Sequence, residues 1–205
     1  MNEKDVLLRE KELILASASP RRQQLMTEHG LRFSVLVSDV DESVECPLSP
    51  QEYVLCIARR KAVAATEIAL QRALVRAGKT LIIAADTVVA LGDTIYGKPD
   101  SPAGAVSMLQ TLQGRVHDVY TAICVVRFEP VGAGQPVYST DVCRTGVKLR
   151  TLDEQTILDY VRSGEPMDKA GGYAIQGAAG RFVECVDGDY ENVVGMSVAR
   201  LMDML

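Results

Sequence analysis

An α/β fold with a mixed sheet is predicted by three features of the sequence. Up to Gly114, short β-prone runs alternate with capped helices, the order that builds parallel strands joined by helical crossovers. Beyond it the period changes to strand. Two β-rich runs, Val119 to Phe128 and Val137 to Leu149, then flank the Gly/Pro loop EPVGAGQP as the arms of an antiparallel hairpin would. Within the first part lies LIIAADTVVALGDTIYGKP, Leu81 to Pro99, whose continuous apolar start reads as a buried strand. A sheet assembled from two such halves commonly leaves a cleft between them.

The elements follow in order. Glu12 to Ala18 is the first strand, and Ser19-Pro20 supplies an N-cap and an N1 proline for a helix to about Gly30. The junction SASPRR thus places two serines, Arg21 and Arg22 where free N–H groups and the helix dipole favour a phosphate. An ordinary capped helix with solvated arginines accounts for it equally well. It is not a P-loop, because no GK[ST] follows the turn. A short strand, Phe33 to Val37, precedes the acidic residues Asp39, Asp41, Glu42 and Glu45. Ser49 and Glu52 form a capping box for a helix to about Gly78. On that helix Ile57, Ala58, Ala65 and Ile68 make an apolar stripe that also contains Lys61. The lysine either snorkels to solvent or reaches over the stripe into a pocket.

In the central stretch Asp86 and Thr87 interrupt the apolar run before Val88 to Leu91 resume it. A carboxylate there is costly unless it is paired, hydrogen-bonded or holding a cation. The alternative is a bulge or Asx-turn that kinks the strand. A turn at Gly92-Asp93 then allows Lys98 to fold back toward Asp86. Ser101-Pro102 opens a helix that stops at Gly114, and His117 and Thr121 begin the long hairpin. A capping box from Thr151 to Glu154 opens a helix ending near Gly164. The glycine-rich GEPMDKAGGYAIQGAAGRF brings Glu165, Asp168, Lys169 and Gln176 where backbone can approach a ligand closely. A strand from Phe182 to Val186, a turn at Asp187-Gly188 and a short helix after Gly195 close the chain.

With 205 residues the chain fits one domain, 1–205, with residues 1–11 as a polar leader. Its formal charge of −5 repels nucleic acid and anionic membrane, so an anionic substrate must meet a local basic pocket. No apolar run approaches the roughly 20 residues of a membrane span, and the charged start lacks a signal-peptide core. The five cysteines are odd in number and widely spaced. They predict reduced, small buried side chains in a cytoplasmic protein. With His29 and His117 the only histidines, a zinc cluster or a Ser/His/Asp triad has little to draw on. Mg2+ or Mn2+ on oxygen ligands is the metal to expect.

Eight segments taken together resemble one family, the Maf nucleotide pyrophosphatases once described as septum-formation proteins. They are SASPRR (17–22), Asp41-Glu42, ARRKA (58–62), AADTVV (84–89), GKP (97–99), GRVHDVYTA (114–122), SGEPMDKAGGYAIQG (163–177) and NVVG (192–195). The resemblance implies an elongated mixed sheet flanked by helices, in two lobes around a central cleft. That fold is shared with the inosine-triphosphate pyrophosphatases and is usually dimeric. It also implies hydrolysis of a nucleoside triphosphate to the monophosphate and pyrophosphate with Mg2+ or Mn2+. It places Ser17, Arg21 and Arg22 at the substrate end of the first helix, with Glu42, Lys61, Asp86, Lys98 and Gln176 completing the pocket. Asp86 is then the general base or the metal-linked activator of the attacking water. Glu42 and Asp86 are the carboxylates that hold the metal, and which of them is the base stays open.

Three positions mark base preference in this resemblance. Arg21, Thr87 and Gln176 are similar to the branch acting on dTTP and UTP, where the 7-methyl-GTP branch has an aromatic residue, Gln and Glu. Arg60 departs from the family pattern, in which a glutamate often precedes the lysine, and is expected to be peripheral. The substrate's charge of about −4 calls for positioning and neutralisation. Arg21, Arg22, Lys61 and Lys98, with Lys169 a further candidate, supply cations from separate segments. A non-catalytic regulator of cell division that binds nucleotide or nucleic acid is disfavoured by the acidic charge and gives the carboxylates no purpose. A purine-directed pyrophosphatase of the inosine-triphosphate type is disfavoured by the three branch markers.

Overall fold

A computed structural model describes residues 10–129 and 135–205. The chain runs β1 (Glu12–Leu15), α1 (Pro20–Glu28), β2 (Phe33–Val35), α2 (Pro50–Gln71), β3 (Thr80–Leu91) and β4 (Thr94–Tyr96). It continues with α3 (Pro102–Leu112), β5 (Val116–Phe128), β6 (Pro136–Leu149) and α4 (Glu154–Arg162). Short 3-10 turns at Glu165–Asp168, Ala170–Gly172 and Ala178–Phe182 lead to β7 (Val183–Asp187), α5 (Tyr190–Val194) and α6 (Val198–Met204). Residues 1–9 of the predicted leader and residues 130–134 of the hairpin loop lie outside the described residues.

Among the described residues seven strands form one sheet in the order β2-β1-β3-β5-β6-β7, with β4 paired to β3. β1 runs parallel to β2 and β3, and every other pairing is antiparallel, so the sheet is mixed. The β5–β6 hairpin is the predicted one. β3 carries no bulge. Its register with β5 is unbroken from Leu81 opposite Arg127, through Asp86 opposite Ala122, to Ala90 opposite Asp118. The kinked-strand alternative for Asp86 is thereby excluded, and its carboxylate must be accommodated inside a regular ladder.

The two faces of β3 feed different cores, because side chains alternate along a strand. Ile82, Ala84 and Val88 pack with Val54, Ala58, Ala62, Ala65 and Ala69 of α2. Alanines at the contact let the helix backbone lie close to the sheet. Leu81, Ile83 and Ala85 face the opposite way, against α1 and α6 through Leu25, Met26 and Leu201. A third core gathers Val89, Val119 and Leu149 beneath α3 and α4.

Several boundaries differ from expectation for local reasons. α2 stops at Gln71, well before Gly78, because Ala73 takes a left-handed φ of 53° and Leu74 N–H turns back to Ala69 O at 2.9 Å. The cap of α4 is Asp153 rather than Thr151: its carboxylate accepts from Thr156 N at 2.7 Å. Ser19 stands at the α1 cap position without a side-chain cap bond, and its own N–H instead donates to Ser17 Oγ at 3.2 Å. An additional helix, α5, precedes Gly195, capped by Asp189. All five cysteines are free, but only Cys124 and Cys143 are buried. Cys46, in the loop before α2, and Cys185, on the edge strand β7, are exposed.

His117 in β5 is buried with its Nε2 2.7 Å from the Tyr173 hydroxyl. Burial pulls its pKa down from 6.5 to about 4, against the attraction of Asp118. The unfolded chain therefore takes up the proton first as pH falls. The stability is complete above pH 6.5 and is lost on the way down to about 4, by up to roughly 3 kcal/mol. Urea unfolding across this range should show the loss, and His117→Gln should flatten it. An unchanged slope in the variant would assign the acid sensitivity to other groups.

Candidate active site

Pleating decides which side of the sheet each polar group of β3 serves. Asp86 shares the α2 face with Ala84 and Val88, and Thr87 shares the other face with Ala85. On the α2 face, Lys61 extends from beside the alanine stripe and its side chain is only 17% exposed. Its Nζ lies 2.7 Å from Asp86 Oδ1 and 2.7 Å from Glu42 Oε1. Of the two directions open to Lys61 from its periodicity, the structure has the one into a pocket.

Asp86 is buried, and burial raises its pKa above the usual 3.8; Lys61 and Arg22 oppose the shift and Glu42 adds to it. A carboxylate raised in this way is a stronger proton acceptor near neutral pH than an exposed aspartate.

The acidic loop before α2 is held in place rather than free. Arg60 Nη1 donates to the carbonyls of Asp41 (3.1 Å) and Ser43 (2.6 Å), and the Tyr53 hydroxyl donates to Glu42 O at 3.1 Å. Arg60 is exposed and does not line the cleft, but it braces the loop that carries Glu42. It grips backbone on both sides of Glu42.

On the reverse face Arg22 is buried and turned inward. Nε donates to Gly195 O (2.9 Å), Nη1 to Ala85 O (2.8 Å) and Ser17 Oγ (3.3 Å), and Nη2 to Thr87 Oγ1 (2.9 Å). Thr87 and Thr121, directly opposite on β3 and β5, bring their hydroxyls to 2.9 Å, and Thr121 donates to Asn192 O. Asn192 Nδ2 in turn donates to Val119 O and Thr145 Oγ1, each at 3.0 Å. Three residues expected at the substrate, Ser17, Arg22 and Thr87, are thus bonded to one another. Asn192 and Gly195 of NVVG complete the network, and its signal in the sequence is the pair of threonines that strand register sets face to face.

A cleft of about 1040 Å³ opens over these groups. Every predicted site residue lines it except Gln176, which is exposed just outside while its neighbour Ile175 is part of the wall. Arg21 and the exposed Lys98 enter no ion pair among the described residues and face the cleft with free charge. Asp86 and Glu42 converge on one point, where the Lys61 ammonium sits. No group of three His, Cys, Asp or Glu among the described residues could hold a metal alone. Two carboxylates completed by substrate phosphates are, however, a common Mg2+ donor set, so the residues fit a hard divalent cation.

The family model for Maf-like proteins matches residues 12–205. The chain belongs to the Maf family. This Maf protein is similar to the dTTP/UTP pyrophosphatase of Desulforamulus reducens, 46% identical with 94% of each chain covered. It is also similar to the dTTP/UTP pyrophosphatase of Thermococcus kodakarensis, 44% identical with 91% of each covered. Among solved structures, a HAM1 protein from Coxiella burnetii covers 95% of this chain and 98% of its own at 15% identity, with a TM-score of 0.45. That likeness is too slight to bear on the fold. No helix among the described residues is long and apolar enough to cross a membrane.

Because Asp86 is held above its usual pKa, the unfolded chain ionises first as pH rises, and stability falls from about pH 3.8 upward. In protein stripped of divalent ions, Asp86→Asn removes that penalty. Its melting temperature should exceed wild type at pH 7, with the gap closing toward pH 4. A variant that melts lower at pH 7 would mean that Lys61 and Arg22 outweigh burial.

Proposed function

We propose that this Maf protein hydrolyses nucleoside triphosphates between the α- and β-phosphates, releasing the monophosphate and pyrophosphate, with dTTP and UTP preferred. The observation that carries the reading is Lys61 bridging Asp86 and Glu42 in a cleft whose remaining cations face inward. A water oxygen bonds to the α-phosphorus, the bridging oxygen leaves with pyrophosphate, and Asp86 takes the water's proton. Lys61 keeps Asp86 ionised and neutralises charge beside it. Arg21 and Lys98 bind the phosphates, the role that free guanidinium and ammonium groups fill elsewhere. Ser17, Arg22 and Thr87 hold the β1–α1 junction rigid behind them. Glu42 and Asp86 are the residues that would hold a divalent cation, Mg2+ or Mn2+, which would neutralise phosphate charge and help activate water.

Preference for a pyrimidine rests on the named activity of the relatives and on Arg21, Thr87 and Gln176. Gln176, exposed beside the cleft wall, meets the base at the rim, where an amide can both donate to and accept from a uracil or thymine edge. The protein acts as a cytoplasmic homodimer on nucleotide, without nucleic acid. Its five free cysteines agree with a reducing compartment.

Pyrophosphate release should be measured with Mg2+ or Mn2+ across dTTP, UTP, CTP, GTP, ITP and 7-methyl-GTP. Turnover led by dTTP and UTP is expected, and Asp86→Asn should cut kcat by roughly 10²–10⁴ with little change in nucleotide binding. Turnover led by a purine would keep the reaction and overturn the base preference; no Asp86-dependent turnover would turn the reading to a nucleotide-binding protein. Gln176→Glu should cost dTTP and UTP more than purine substrates, and equal losses on all bases would remove Gln176 from base selection.

A further inference from the structure

Lys169 stands between two 3-10 turns with an extended backbone. Its N–H donates to Pro166 O and its carbonyl accepts from Gly172 N, each at 3.0 Å. Gly171 then locks the segment to the site. Its φ is +69°, and a Cβ there would fall 2.8–3.0 Å from Val89 side-chain atoms, so no larger residue fits. Its N–H donates to Gly97 O at 3.0 Å. The loop bearing Lys169 is thereby tied to β3 just beyond Asp86 and to the residue before Lys98. Both lysines line the cleft.

The Lys169 side chain is only 14% exposed, and its ion-pair partner is the adjacent Asp168, which is 75% exposed. A pair with so exposed a carboxylate is worth little. Holding most of a lysine out of water costs hydration and rotamer freedom. The pair therefore does not account for an ammonium kept in the cleft wall, whereas an anion arriving in the cleft does. We propose that Lys169 is a phosphate-binding residue of this site and that Asp168 is its stand-in anion, displaced when a polyphosphate enters. This rests on the nucleoside triphosphate reading. No covalent bond changes. Lys169 transfers its hydrogen bonds to phosphate oxygens, and Asp168 turns to the solvent it already meets.

The test is calorimetric titration of inorganic pyrophosphate, with Mg2+ present, into wild type, Lys169→Gln, Lys169→Arg and Asp168→Asn. Lys169→Gln should weaken binding roughly ten- to hundredfold, the worth of a charge-assisted hydrogen bond, and Lys169→Arg should restore most of it. Asp168→Asn should tighten binding by up to roughly fivefold, since it removes the competing anion. KM for dTTP should follow the same two directions with smaller changes in kcat. A merely structural pair predicts that both variants weaken binding alike. That result, wild-type affinity in Lys169→Gln, or no pyrophosphate binding by wild type overturns the proposal. If Lys169→Gln fails to fold, the sign for Asp168→Asn decides, and only tightening supports the proposal. If wild type releases no pyrophosphate from any nucleotide, the reaction reading falls, and the titration still decides the role of Lys169.

Discussion

The cost of one carboxylate inside an apolar strand organises this molecule. Asp86 lies in the middle of β3, in unbroken register with β5 and between the stretches that pair with β1 and β4, and no kink lets it escape to solvent. Burial pushes it toward the neutral form, so the structure must bring a cation to it. The cation comes from α2, and α2 can deliver it because alanines at its contact let the helix lie low on the sheet. Lys61 arrives with a second carboxylate, Glu42, on its other side. The loop carrying Glu42 is fixed by Arg60 and Tyr53 of the same helix. One helix thus sets the geometry of both carboxylates.

The two-residue period of β3 separates chemistry from support. Asp86 faces Lys61 and Glu42, and Thr87 faces a buried polar network in which Arg22 ties Ser17, β3 and Gly195 together. Each donor Arg22 presents there meets an oxygen, which is what allows a guanidinium to be buried at all. An arginine so engaged also fixes the turn that carries Arg21. The tandem arginines of SASPRR both line the cleft but differ in their partners: Arg22 is held by oxygens, and Arg21 enters no ion pair among the described residues.

How much of this was legible in the sequence depended on the range of the forces involved. The mixed sheet, the long hairpin and the α2 capping box follow from local pattern, and they stand. Asp86 was conspicuous because a charge in a β-prone run has few harmless explanations. Lys61 was visible as an oddity on an apolar stripe, but periodicity gives a face and not a direction, and only the packed sheet decides that it turns inward. The inward turn of Arg22 depends on Gly195, which is 173 positions away in the chain, and no local rule reaches so far. The hold of Arg60 on the Glu42 loop is hidden for the same reason: its partners are carbonyls, which every residue has and no motif records. Gln176 lies outside the cleft wall although its motif is intact, because a motif specifies residues and not the loop conformation that presents them.

The charge arrangement has a consequence for binding. The protein carries a formal charge of −5, yet its cleft must accept a polyanion. Among the cations facing that cleft, Lys61 already holds two carboxylates and Arg22 donates to four oxygens, while Arg21 and Lys98 enter no ion pair among the described residues. Pre-paired cations contribute less to attraction at a distance, because their partners cancel their field. They are also well positioned, since the partner that neutralises them fixes their geometry before the substrate comes. The unpaired charges of Arg21 and Lys98 therefore supply attraction at a distance, which weakens with salt. The pairing of Lys61 with Asp86 and Glu42 persists at higher ionic strength, because Lys61 is largely buried. An acidic enzyme can in this way hold a polyanion with few free charges, provided that the rest are released only where the phosphates sit.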